Sequence, residues 1–90
     1  MNAAELLQEV KNGMGIYHNA QDDTLNTLID TVKIFMQNGG VPETVVNSAA
    51  AVGCITRGVI DIWNLGSGTG DFSPLFKLML NQLSTPESGV

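Results

Sequence analysis

The side chains of this 90-residue chain that could do chemistry are few and scattered. There is one histidine, His18, and one cysteine, Cys54. A single histidine rules out a multi-histidine metal site, and Cys54 lies far along the chain with no third ligand in view. A Cys54–His18 nucleophile pair stays open only formally. Within its alanine-rich stretch Cys54 reads as a small buried hydrophobe. The neighbouring carboxylates Asp22 and Asp23 could hold a cation, but at a helix start such a pair serves as cap and complement to the helix dipole. Their surroundings also lack the spacing of a calcium loop. Gly66-Ser67-Gly68-Thr69-Gly70 imitates a phosphate-binding loop without the Lys-Ser/Thr that must follow its last glycine. Asp71-Phe72 follows instead, and a carboxylate there would repel phosphate. That segment reads as a hinge between two helices. These residues therefore point to no enzyme, no cofactor and no metal site.

Two further sets of residues carry interaction rather than catalysis. Arg57 and Asp61 are four apart, a spacing that suffices for an ion pair within one helix. A pair formed across a subunit boundary, fixing register, is the other reading. Trp63, Tyr17 and Phe72 read as core aromatics, with Trp63 packed under the glycine segment; the alternative for Trp63 is an interface anchor.

The elements that must position these residues follow from apolar spacing. Asn2 is placed to cap a first helix through Leu6, Leu7 and Val10, stopped at Gly13. The connector Gly13–Asn19 breaks the period and carries two expected anchors, Ile16 and Tyr17. Asp22 or Asp23 opens the clearest helix, whose stripe is Leu25, Leu28, Ile29, Val32, Phe35 and Met36. Asn26, Asp30, Lys33 and Gln37 face the other way, with Asp30 and Lys33 spaced for a weak ion pair. Gly39-Gly40 ends this helix. Pro42 then suits a first helical turn. Either a short helix covers Pro42–Val46 and Asn47 caps the next, or one helix runs on to Asn64. Its apolar residues wind around most of the circumference, so several neighbours must bury it. Small residues such as Gly53, Cys54 and Gly58 would let those neighbours approach closely. Asp71 or Ser73 caps a last helix with apolar residues on two sides, and residues 84–90 form a polar tail. The expected fold is all-α: one domain, residues 1–90, with a bundle of four or five helices over about residues 3–83.

Composition bounds the function. Hydrophobic residues make up 43% of the chain and charged residues 14%, against roughly 25% charged in an ordinary soluble domain. A domain this short hides only about 60–65% of the surface that its unfolded chain exposes, so something else should cover the excess. Four Lys and Arg against nine Asp and Glu give a net charge of −5, which argues against docking onto nucleic acid or anionic membrane. The lone cysteine excludes an internal disulfide and fits an intracellular chain. Met1–Val10 lacks the basic start and apolar core of a secretory signal. Val45–Trp63 is apolar enough to raise the question of a membrane span, but Arg57 and Asp61 within it count against one.

The order of elements carries a resemblance. Leu6-Leu7-x-x-Val10-Lys11 precedes Asp22-Asp23-x-Leu25-x-x-Leu28-Ile29-x-x-Val32-Lys33. A turn with Gly40-Val41-Pro42 comes next, then a long apolar helix with Arg57 that ends in an aromatic and a glycine, and a final helix from Phe72 to Leu83. From about Ala4 to Leu83 this resembles the small helical head–tail connector proteins of tailed bacteriophages, also called adaptor or head-completion proteins. The opening motif is the specific part.

The resemblance implies a virion protein at the head–tail interface, assembled in the host cytoplasm. Copies would form a dodecamer-type ring under the portal, extend the DNA channel and dock the stopper or tail. DNA would pass without sequence-specific binding, and no membrane would be involved. The family has no catalytic residues, so none is carried over. A ring subunit needs two different adhesive faces, and the surplus apolar residues place the subunit interface at Arg57, Asp61, Ile55, Ile62, Leu75, Leu78 and Met79. Contacts with the portal or tail fall by position on Gly66, Gly68 and Gly70, or the Gly39–Pro42 turn, and on Ser84, Pro86 and Val90 of the tail. The tail is shorter, and the glycine segment richer, than the family pattern. An acidic balance suits a conduit through which DNA must slide. The rival reading is a small dimeric helical module that binds a regulatory partner.

Overall fold

Capping chemistry sets the first helix, α1 (Ala3–Met14). The Asn2 side chain accepts from the Glu5 N–H at 2.8 Å, and the Glu5 carboxylate accepts from the Asn2 N–H at 3.0 Å, a reciprocal capping box. The structure, a computed structural model, describes residues 1–65 and 72–84. Gly13 does not stop α1, contrary to the expectation from sequence. The helix continues to Met14 and closes at Gly15, whose φ of 74° is left-handed. Gly13 meets a different demand. A Cβ there would lie 2.7 Å from Thr56 Cγ2, so the missing side chain is what lets α1 approach the fourth helix.

The second helix, α2 (Asp22–Asn38), buries Leu25, Ile29, Val32 and Met36 as the stripe requires. Neither Asp22 nor Asp23 is its N-cap; Gln21 stands there without a side-chain cap bond. Asp22 is drawn instead to the Lys11 ammonium on α1. The expected Asp30–Lys33 pair does not form, because Lys33 Nζ donates to Asn47 Oδ1 at 3.3 Å. Gly39 and Gly40 end the helix, the latter at φ 101°.

The next stretch is broken rather than continuous. Pro42 precedes a one-turn helix, α3 (Glu43–Val46), and Asn47 ends α3 rather than capping the helix after it. A 3-10 turn at Ala49–Ala51 then leads into α4 (Val52–Leu65). The last helix is α5 (Pro74–Ser84). Its cap is Ser73, whose Oγ accepts from the Phe76 N–H at 3.2 Å.

α4 is the hub, packed against α1, α2 and α5. Ala51, at the end of the 3-10 turn, and Cys54, Ile55 and Val59 on α4 meet Leu6 and Val10 of α1, the α2 stripe, and Phe76 and Leu80 of α5 in one core. Gly58 permits an equally close approach on the other side of α4: a Cβ there would fall 2.7 Å from Phe76 Cε1 and 2.8 Å from Val32 Cγ1. The described residues form an all-α bundle with no strand among them. None of their helices is long and apolar enough to cross a membrane.

Candidate assembly surfaces

Among the described residues two charged side chains are buried, and each ties one helix to the start of the next. Lys11, near the end of α1, is 5% exposed. Its Nζ meets Asp22 Oδ1 at 2.9 Å and donates to Asn19 Oδ1 at 2.9 Å. The Lys11–Asp22 contact is an ion pair off the angle of a hydrogen bond, and that oxygen accepts none. With the Ile16 N–H donating to the Lys11 carbonyl at 3.0 Å, this fixes the course of the connector.

Asp61, near the end of α4, is 8% exposed. Its Oδ1 accepts from Arg57 Nη2 at 2.8 Å and from Arg57 Nε at 3.1 Å. Its Oδ2 accepts from the Ser73 N–H at 2.9 Å and the Ser73 hydroxyl at 2.8 Å. Burial pushes the Asp61 carboxyl pKa up, but the hydrogen bonds from Ser73 and Arg57 and the charge of Arg57 outweigh it and hold it below the ordinary 3.8. The Arg57–Asp61 pair is therefore formed within the chain. Both charges stand in apolar register, Lys11 four residues after Leu7 and Asp61 seven after Cys54. That misplaced polarity is the signal by which the sequence could have disclosed both ties.

A cleft of about 430 Å³ opens on the α1 side of α4. Its apolar lining is Met14, Ile16, Ile60 and Trp63, with the backbone of Gly13 beside them. His18, Gln21 and Asn64 supply polar groups. His18 Nδ1 accepts from the Ala20 N–H at 3.3 Å. Trp63 is 37% exposed, so it is not enclosed in the core as expected. The glycine segment over which that expectation was drawn lies outside the described residues. Tyr17 is 83% exposed and anchors nothing; Ile16 takes the inward position and turns the next side chain out.

A second surface runs along α5. Leu75 and Leu78 are 51% and 55% exposed, one helical turn apart. Beside it Phe72 stacks on Phe76 with ring centroids 4.3 Å apart and meets Phe35 at 4.5 Å, which draws Phe35 to the edge of the α2 stripe. A groove of about 490 Å³ lies between Phe35 and Gly39 on one side and Lys77 and Leu80 on the other.

The residues expected at a subunit interface thus separate. Ile55 is fully buried and Asp61 nearly so, both within one subunit, whereas Arg57 is a third exposed. Ile62 and Met79 are half-buried against the core. Leu75 and Leu78 are open. Of the expected portal or tail contacts, Gly66, Gly68, Gly70, Pro86 and Val90 lie outside the described residues. Ser84 ends α5 beside the α2–α3 turn, where a Cβ on Gly40 would sit 3.6 Å from Ser84 Cβ. The structure therefore brings Ser84 and the Gly39–Pro42 turn together.

Chemistry at Cys54 is disfavoured by its place: burial pushes the thiol pKa up to about 11, so the nucleophilic thiolate is scarce near neutral pH. Among the described residues no three His, Cys, Asp or Glu side chains gather as metal ligands would. No family model, curated protein or solved structure matches this chain.

Proposed function

We propose that this chain is a structural subunit that assembles into a ring, in the manner of the phage head–tail connectors its sequence resembles. The observation that carries the reading is a pair of separate apolar surfaces on one small bundle. Trp63 follows Asp61 by two residues, roughly 200° around the helix. Since Asp61 ties α4 to α5, Trp63 lies on the side of α4 turned away from that tie. One surface is therefore the Trp63 cleft and the other is the exposed side of α5, with Leu75 and Leu78. Two unlike faces make a chain of contacts that closes into a ring or runs on, whereas a dimer of like faces needs only one. The scarcity of charge supports the same reading, because an adhesive face carries few ions.

In this reading the ring stands under the portal, extends the DNA channel and presents a platform to the stopper or tail. The Ser84 end of α5 and the adjoining Gly39–Pro42 turn form one candidate surface for those partners. DNA would slide past an acidic subunit without being read.

Light scattering over a concentration series, alone and with the portal complex added, tests the proposal. A closed multi-copy ring in either condition supports it. A mass that stops at two copies favours the partner-binding module, and a monomer in both conditions overturns assembly.

A further inference from the structure

We infer that free copies of this chain pair through the outer side of α5, helix against helix about a two-fold axis, and so cover a ring-forming face until the portal is met. The cover rests on the proposed assembly; the pairing itself does not.

Charge selects the occupant. Copies with a net charge of −5 repel one another, so two of them meet only where carboxylates are absent. Glu5, Glu9, Asp22, Asp23, Asp30 and Glu43 stand on α1, α2 and α3. Among the described residues the one other acidic side chain is Asp61 of α4, which is buried and answered by Arg57 and Ser73. α5 has none. Asp71 and Glu87, beyond its two ends, lie outside the described residues. The Trp63 cleft is equally free of carboxylates, but two concave surfaces cannot fill each other. The convex side of a helix can pack on its own copy.

Shape then fixes the pairing. Leu75, Leu78 and Gln82 are exposed at i, i+3 and i+7, the seam spacing of paired helices. Half-buried Met79 borders that seam over Gly53 of α4, where a Cβ would lie 3.3 Å from Met79 Cε. Gly53 is exposed, so at that point α4 presents no side chain to hold a second helix off. Lys77 is turned away from the seam, into the groove it shares with Phe35. An antiparallel pair about an axis at Leu78–Met79 sets Leu75 of one copy opposite Gln82 of the other. It also brings the two Leu78 side chains together.

A disulfide reads the two-fold axis directly, because a like-to-like contact brings the same residue of two copies within bridging distance. Leu78→Cys, mildly oxidised as the free chain, should become a covalent dimer, whereas Asn26→Cys, exposed on α2, should not. Cys54 is buried and does not compete. Leu78→Asp should keep the helical circular dichroism of the parent and weaken self-association by roughly thirtyfold or more, the loss of one interface hot spot. With the portal complex, the bridged Leu78→Cys chain should join a ring only after reduction. A parent chain that stays monomeric alone, or a Leu78→Cys chain that bridges no better than Asn26→Cys, overturns the pairing and leaves ring assembly standing. A bridged chain that joins the portal as readily as the reduced one overturns the cover. If Leu78→Cys bridges while neither it nor the parent ever forms a ring, the pairing holds and the ring reading fails.

Discussion

At the junction of α1 and α2 a buried lysine reaches the first residue of the next helix, and at the junction of α4 and α5 a buried aspartate reaches the next helix's cap. The two ties are alike in position and opposite in charge, and they differ in how the charge is compensated. Lys11 sits at the negative end of its own helix, where the dipole already favours a cation. Its only ionic partner among the described residues is Asp22, with an amide oxygen from Asn19 beside it. Asp61 sits where the dipole of its own helix disfavours an anion. It is held by Arg57 on the same helix and by the N–H and hydroxyl of Ser73 at the positive end of α5. The first tie depends on one counter-charge, while the second is shared among groups on both sides of the junction. Removing a single partner should therefore cost more at the first.

The largest effect expected is that of Asp22→Ala. It leaves the Lys11 ammonium buried without its counter-ion, and breaking a buried pair from one side costs about 3 kcal/mol. In a domain of this size that lowers Tm by roughly 12–20 °C, readable by circular dichroism. A loss under about 1 kcal/mol would mean that Lys11 escapes to water and that the α1–α2 tie is not the more fragile one.

Asp61→Ala should cost less, about 2 kcal/mol. The Ser73 N–H loses its acceptor, whereas Arg57 is one-third exposed and can be hydrated where it stands. Arg57→Ala should remove under about 1 kcal/mol for the same reason, since Asp61 keeps both of its Ser73 hydrogen bonds. Urea unfolding of the two variants gives the order directly. Equal losses would show that the carboxylate and the guanidinium act as one unit and that the load is not shared with Ser73.

Acid should dissolve the second tie in a defined direction. The folded pKa of Asp61 is lowered, so its contribution is fully present above the unfolded value of 3.8 and is lost as pH falls through the folded value. The stability gap between the parent chain and Asp61→Asn should accordingly narrow on acidification below 3.8. Urea midpoints that keep the same gap down to the acid limit would show that the charge of Asp61 contributes nothing and that its hydrogen bonds act alone.

The bundle was legible because apolar period and capping chemistry agree along most of the chain. Asn2, the Leu25–Met36 stripe and the Gly39-Gly40 stop each state their role locally. Where sequence reading went astray, a residue answered to a distant one. Gly13 looks like a stop until Thr56 is placed against it, and Asp22 looks like a cap until Lys11 arrives from α1. The Arg57–Asp61 spacing discloses the pair but not Ser73, twelve residues away from Asp61 and across a junction. Tyr17 fails for a related reason. Of the two neighbouring apolar residues in this connector only Ile16 faces inward, and without a regular period spacing does not choose between them.

The smallest expected effect is the sharpest test of the comparison. Lys11→Met replaces the buried ammonium with an apolar side chain of similar length, in a register shared with Leu7 and Met14. Asp22 is left without a counter-charge, but its side chain is 30% exposed and water can solvate it. Replacing the charged member of a buried pair by an apolar one of similar volume removes its desolvation cost together with its attraction, and the two nearly cancel. The net change should lie within about 1 kcal/mol of zero in either direction, against the much larger loss for Asp22→Ala. Such an asymmetry would locate the fragility of the α1–α2 junction in the burial of Lys11 rather than in the strength of its ion pair. Equal losses from the two substitutions would instead make the pair itself the stabilising element, and the contrast with the shared tie at Asp61 would disappear.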